Sequence, residues 1–333
     1  MASSRSRIGM VTAVLGLGFA TLASSVGPST SSAEPASPFR PFAGASYWNA
    51  PVPDNAPAHP NAAGILNYMQ TAPSAQGGCI RLAGAGKSPW GQPIYWAKDG
   101  DPSYSVKQTQ YAIPPELDTM RIPLGAKPAS TSDAAMTVYD IERGYVVAMW
   151  HAVYNASTDS WSAGGAQVTY LDSNGLDSRT NGSDDARNTG TMRGNNGGVT
   201  AVRFDEASAG QINHVLKIAG GPEVSTLAVS PLTRSDGDST NPNAPAQGTR
   251  MRIKPSVNLD AFNLNPQARA IADAMQKYGV YIGDSGGVTA LKLENTVVEG
   301  RGQLWSLPAT SLCQLPLNEK FWDVLPYGYD PSK

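Results

Sequence analysis

The sequence predicts a mainly β protein, a β-sandwich or jelly-roll-like body with two or three peripheral helices. Three observations lead there. β-branched and aromatic runs such as Tyr145-Val146-Val147-Ala148-Met149-Trp150 recur between turn residues spaced ten or so positions apart. Gly and Pro are frequent, 34 and 26 of 333 residues, and they punctuate those runs. Helix signals are confined to 62–69, 210–219 and the segment after Asn265.

Taken in order, residues 1–33 read as a secretory signal peptide. Arg5 and Arg7 precede an apolar run at 8–22, and Ser31-Ser32-Ala33 offers a small-residue cleavage site. The run is too short for a spanning helix, so the expectation is a secreted protein with no membrane attachment after cleavage. Residues 34–45 are a Pro-rich leader, and 46–333 are expected to form a single β-rich domain. Lys and Arg number 25 against 27 Asp and Glu, a formal net charge of −2. That balance supplies no basic stripe for nucleic acid and no polybasic membrane patch. Cys79 and Cys313 are the 2 cysteines, and in an exported chain they are expected to pair. Their wide separation places both ends on one body.

Pro51, Pro53 and Pro57 keep the segment from 46 out of a helix, and Pro60 opens the helix at 62–69. Segments 93–96 and 104–107 read as strands. Segments 136–140 and 145–154 form a hairpin through Glu142-Arg143-Gly144, and Trp161 and 167–171 continue the meander. Segment 172–198 is polar and long, as functional loops often are. Segment 210–219 reads as a short amphipathic helix, 224–229 as a strand, 235–247 as a polar Pro-rich loop and 251–259 as extended. Asn265 caps the best helix, with Pro266 at its first position and Gly279 past its end. Strands at 280–282 and 288–293 flank Gly283-Asp284-Ser285-Gly286-Gly287, and 319–325 closes the chain.

That glycine-rich break matches the nucleophile motif of trypsin-like proteases. The 3 histidines, His59, His151 and His214, lie in the wrong contexts for such a triad. The better reading is a turn that presents Asp284, as an acid, a sugar contact or a structural turn. Trp150-His151 on the strongest strand suits sugar chemistry, the indole stacking while the imidazole moves a proton. The candidate catalytic set is therefore Asp140, His151 and Asp284. Trp150, Trp161, Arg193 and His214 are the candidate substrate contacts. Asp172, Asn174 and Asp177 space oxygens loosely like a calcium loop. No cofactor is required, and Ca2+ is the one metal the pattern suggests. Trp and Tyr, 7 and 13, outnumber the 6 Phe, a tilt towards rings that stack on sugars.

Three segments carry a resemblance: Ser46-Tyr47-Trp48-Asn49-Ala50-Pro51-Val52-Pro53, Gly210-Gln211-Ile212-Asn213-His214-Val215-Leu216, and Tyr278-Gly279-Val280-Tyr281-Ile282-Gly283-Asp284-Ser285-Gly286. They resemble an uncharacterised family of secreted proteins, mostly from actinobacteria. The resemblance implies a β-sandwich acting on polysaccharide. This chain departs from that pattern at 148–151, where a carboxylate near the Trp is expected. The functional expectation is a secreted carbohydrate-active enzyme cleaving extracellular or cell-wall polysaccharide, a glycoside hydrolase ahead of a lyase. The alternative is a non-catalytic carbohydrate-binding or cell-wall protein. A trypsin-like protease comes third.

Overall fold

The computed structural model describes residues 38–191 and 193–333. The expected signal peptide and its cleavage site lie outside them, as does the first part of the leader. A six-stranded sheet runs from edge to edge through Arg81–Ala83, Thr289–Lys292, Leu216–Gly220, Val280–Asp284, Arg250–Ile253 and Trp322–Val324. Arg81–Ala83 lies parallel to Thr289–Lys292, and Leu216–Gly220 parallel to Val280–Asp284. The remaining pairings are antiparallel. A four-stranded sheet runs through Gly165–Tyr170, Tyr145–Trp150, Met136–Asp140 and Ile94–Ala97. Two smaller ribbons and three α-helices complete the described residues: α1, Ala62–Thr71; α2, Phe204–Ala209; and α3, Pro266–Lys277.

This is a mixed α/β arrangement of open sheets, which corrects the expected β-sandwich or jelly roll. The reason is connectivity. The six-stranded sheet gathers strands from residue 81 to residue 324 in a non-sequential order. Its apolar face is covered by helices and coil, not by a second sheet. Ile65 of α1 and Ile271 and Met275 of α3 share one core with Leu82, Ile218, Ile282 and Leu291 of the strands. Periodicity reports which face of a strand is apolar, and it is silent about what covers that face.

α3 forms where its signals place it. The Asn265 side chain accepts from the Ala268 amide at 2.8 Å, and Pro266 occupies the first position. Gly279 ends the helix at φ 79°, and a Cβ there would stand 2.4 Å from the Met251 carbonyl oxygen. The hairpin of Met136–Asp140 and Tyr145–Trp150 forms as expected, nearly all of it buried. Three local expectations fail. Segment 210–219 is not a helix: α2 ends at Ala209, and Leu216–Gly220 is a strand whose burial alternates with period two. Segment 224–229 makes only isolated bridges. The strand expected at 145–154 breaks at His151, which takes φ 51° while its amide donates to the Asp133 carbonyl at 2.8 Å.

Cys79 and Cys313 are disulfide-bonded, with Cα atoms 4.4 Å apart. The bridge sits where the C-terminal segment flanks the edge of the large sheet. The Leu82 amide donates to Ala309 O and the Leu317 amide to Gly78 O, both at 2.9 Å.

Candidate functional site

The helix-free face of the six-stranded sheet is built from three short sequences of one pattern: Arg81-Leu82-Ala83, Lys217-Ile218-Ala219 and Ala290-Leu291-Lys292. In each, the central aliphatic residue is buried in the helix-covered core, while the cation and the alanine are half-buried. Strand alternation turns the latter to the opposite face. Register aligns them. Arg81 pairs with Ala290, Ala290 with Ala219, and Ala219 with Asp284. The two ends of this row are charged and its middle is two methyl groups. Three strand spacings separate the end residues, roughly 14 Å.

Asp284 joins the row because of a bulge. Ile218 pairs with Ile282, yet the next residue, Ala219, pairs with Asp284, so Gly283 is the extra residue. Without it, Asp284 would alternate onto the helix-covered face. Glycine also leaves room there for the lysine stem. A Cβ at Gly283 would stand 2.7 Å from Lys217 Cγ and 2.9 Å from the Tyr281 ring. We expect Gly283→Ala to cost about 1–3 kcal/mol through this crowding and to push Lys217 away from Asp284. A thermal melt and the affinity measurement given below check both effects.

This face forms one wall of a cleft of about 1160 Å³. Ala148, Met149 and Trp150 of the four-stranded sheet contribute the facing wall, and Trp90 and Tyr111 add aromatic surface. Trp90 and Tyr111 are 44% and 49% exposed, and the Tyr111 ring lies 6.3 Å from that of Trp150. The polar centre of the cleft is an ion cluster. Arg193 Nη2 lies 2.5 Å from Asp284 Oδ1, and Lys217 Nζ lies 3.3 Å from Asp284 Oδ2. Arg193 Nη1 reaches Asp236 at 3.2 Å, and the Ser285 amide donates to Asp236 at 3.1 Å. Lys292 pairs with Asp133 at 3.3 Å. Burial raises the pKa of the Asp284 carboxyl, but Lys217, Arg193 and Lys292 outweigh it and hold it at about 2. Burial draws the Lys217 ammonium below the ordinary lysine value, and Asp284 opposes that shift. Asp284 is therefore ionised at neutral pH, and its negative charge favours the protonated lysine.

Compared with known proteins, the chain matches no family model, no curated protein and no solved structure.

The expected site residues divide into two groups. Trp150, Arg193 and Asp284 line the cleft together. His151 stacks on Trp150 at 3.5 Å between ring centroids and accepts at Nδ1 from the Gln110 amide at 3.1 Å, so it braces the indole from behind. Asp140 lies at the hairpin end opposite Trp150, buried against Arg121, whose Nε stands 2.7 Å from it. Trp161 is part of the core beneath the four-stranded sheet. His214 is buried, with Nδ1 2.8 Å from Val215 O and Nε2 3.2 Å from Glu206. The proposed calcium oxygens have other partners. Asp172 pairs with Arg187 at 3.3 Å, Asn174 Oδ1 accepts from the Leu176 amide at 3.1 Å, and Asp177 pairs with Arg179 at 2.7 Å. Among the described residues no three His, Cys, Asp or Glu side chains converge as a metal site. Ser285 lines the cleft without a histidine beside it in the lining.

The reading as a carbohydrate-active glycosidase is corrected together with the sandwich. It rested in part on analogy with sandwich folds, and the open sheets remove that analogy. Asp284, held ionised beside Arg193 and Lys217, cannot serve as the protonated general acid of such an enzyme. The cleft residues that sequence reasoning missed include Arg81, Lys217, Lys292 and Arg234, with Asp133 and Asp236, and the aromatic Trp90 and Tyr111. The signal for the first three was present, in the repeated cation–aliphatic–alanine alternation.

Proposed function

We propose that this is an exported protein whose cleft binds a segment of extracellular or cell-wall polysaccharide. The observation that supports this reading is the flat floor made by Ala219 and Ala290 in adjacent strands, faced by Trp150 and bordered by Trp90 and Tyr111. Sugar rings are flat, with C–H bonds on one face and hydroxyls at the edge. They suit methyl and indole surfaces with charged hydrogen-bonding groups alongside. The stack of His151 on Trp150 fixes the indole before a ligand arrives, which lowers the ordering cost of binding.

Affinity electrophoresis of the full chain through gels containing single polysaccharides tests this. At least one polymer should retard the protein, and Trp150→Ala should weaken that retardation roughly tenfold, as the loss of one stacking contact implies. The melting temperature should hold, because Trp150 borders the cleft and not a core. Retardation unchanged by Trp150→Ala would place any saccharide site elsewhere.

A further inference from the structure

The chain carries a formal net charge of −2, yet its cleft is lined by five cationic side chains and three carboxylates. The carboxylates are all engaged. Asp284 is held by Arg193 and Lys217, Asp236 by Arg193, and Asp133 by Lys292. Two guanidinium groups are left without an acidic partner. The Arg81 guanidinium makes no hydrogen bond or ion pair among the described residues, and the Arg234 side chain bonds only the Thr191 carbonyl. They stand at different ends of the floor. Arg81 begins the row that runs through Ala290 and Ala219 to Asp284. Arg234 comes from the loop of Asp236, which is bonded to the backbone next to Asp284.

We propose that the cleft selects an acidic polysaccharide, a linear chain of uronate type, with Arg81 and Arg234 each receiving a sugar carboxylate. This rests on the saccharide reading of the same cleft and adds the charge of the ligand. The guanidinium fork matches a carboxylate with two parallel hydrogen bonds, and no protein carboxylate occupies either fork. The floor between them is uncharged, as the ring of a sugar requires. The separation of the two cations asks for a chain of several units carrying more than one acidic group. A single small anion would fill one end only. Asp284 at the far end of the row, with Asp236 bonded beside it, repels an acidic chain that enters out of register, so the same ion cluster supplies selectivity.

Isothermal titration of the full chain with polygalacturonate oligomers, and with the same oligomers fully methyl-esterified, isolates the charge on a constant backbone. Alginate and hyaluronate oligomers extend the acidic set, and xylan and dextran oligomers supply neutral chains. The free acid of at least one acidic oligomer should bind at least roughly tenfold tighter than its ester, the worth of one charge-assisted pair, and should weaken as salt rises. Arg81→Gln and Arg234→Gln should each remove most of that preference for the acid over its ester. Equal affinity for acid and ester overturns the proposal and leaves the saccharide reading standing, as does binding to neutral chains alone. Binding to none of these polymers overturns both. If the acid is preferred but neither Arg variant reduces the preference, the assignment to Arg81 and Arg234 is wrong.

Discussion

Stability should fall as the pH is raised from 4.5 towards 9, and Glu299→Gln should flatten most of that fall. Glu299 is buried beside Glu294, and burial first, then the neighbouring carboxylate, pushes its pKa up from the ordinary 4.5 to about 9. Its Oε1 accepts from the Ile94 amide at 2.8 Å, at the start of the edge strand of the four-stranded sheet. Glu294 Oε2 accepts from the Phe204 amide at 2.6 Å, at the start of α2. Arg301 serves both carboxyls, at 2.8 Å from Glu294 and 3.3 Å from Glu299. Arg301 lowers the Glu299 pKa only in part, so burial and the neighbouring Glu294 keep its proton on. In the unfolded chain Glu299 ionises at its ordinary value, and in the folded protein it does not until much higher pH. Its contribution is therefore complete below about 4.5 and is lost as the pH rises to about 9. The slope of one differential proton is roughly 1.4 kcal/mol per pH unit, so the sum over the window reaches several kcal/mol. Urea titrations at pH 5, 7 and 9 (conditions chosen about the window) measure it. A stability profile that is flat over this range in the wild type would show that Glu299 ionises normally. Asp284 acts in the opposite sense, since its depressed pKa of about 2 removes stability only below the ordinary 3.8.

Removing the disulfide should cost about 2–5 kcal/mol, the range for a native bridge that closes a long loop. Cys79 and Cys313 are separated by 234 residues. The bridge has a second consequence, because Cys79 precedes the strand that carries Arg81 by two residues. That strand pairs on one side only, with Thr289–Lys292, and the C-terminal segment at Ala309 supports its other side. Cys79→Ser with Cys313→Ser should therefore lower the melting temperature and also loosen the Arg81 end of the cleft, weakening the binding of acidic chains. The Arg234 end is anchored separately through Thr191 and should not be affected. Comparing the double-Ser protein with and without Arg81→Gln separates the two effects. If the bridge holds Arg81 in place, the Arg81 substitution should matter less once the bridge is gone.

Much of the secondary structure was legible because its signals are local. Asn265, Pro266 and Gly279 define α3 by capping and by backbone freedom, neither of which depends on distant residues. The hairpin of 136–150 was legible because its apolar runs flank a short turn. The architecture was not legible, because the partners of Arg81–Ala83 and Leu216–Gly220 come from the far end of the chain. A five-residue strand such as Leu216–Gly220, next to a six-residue helix, offers too few periods to tell 2.0 from 3.6. The site was legible in part. Asp284 was singled out from the glycine-rich break, and Arg193 from the polar loop, and the two form an ion pair. What brings Asp284 onto the cleft face is the bulge at Gly283, whose effect follows from pairing with Ala219 and so lies outside its own segment. Asp140 looked equivalent from sequence, since it too ends an apolar strand. Its partner Arg121 lies 19 residues earlier and closes it off from the cleft.

The most direct test of the account is a hydrogen-exchange footprint of the full chain with the acidic oligomer that binds best in the titrations. Gly286 and Gly287 are exposed and line the cleft at the end of the Asp284 strand, so their amides should exchange quickly in the free protein. Bound oligomer should slow exchange in 284–288 and in 193–197, with no change in the exposed ribbon at Val153–Asn155. Slowing confined to that ribbon, or to any surface outside the cleft, would contradict the assignment of the cleft as the site.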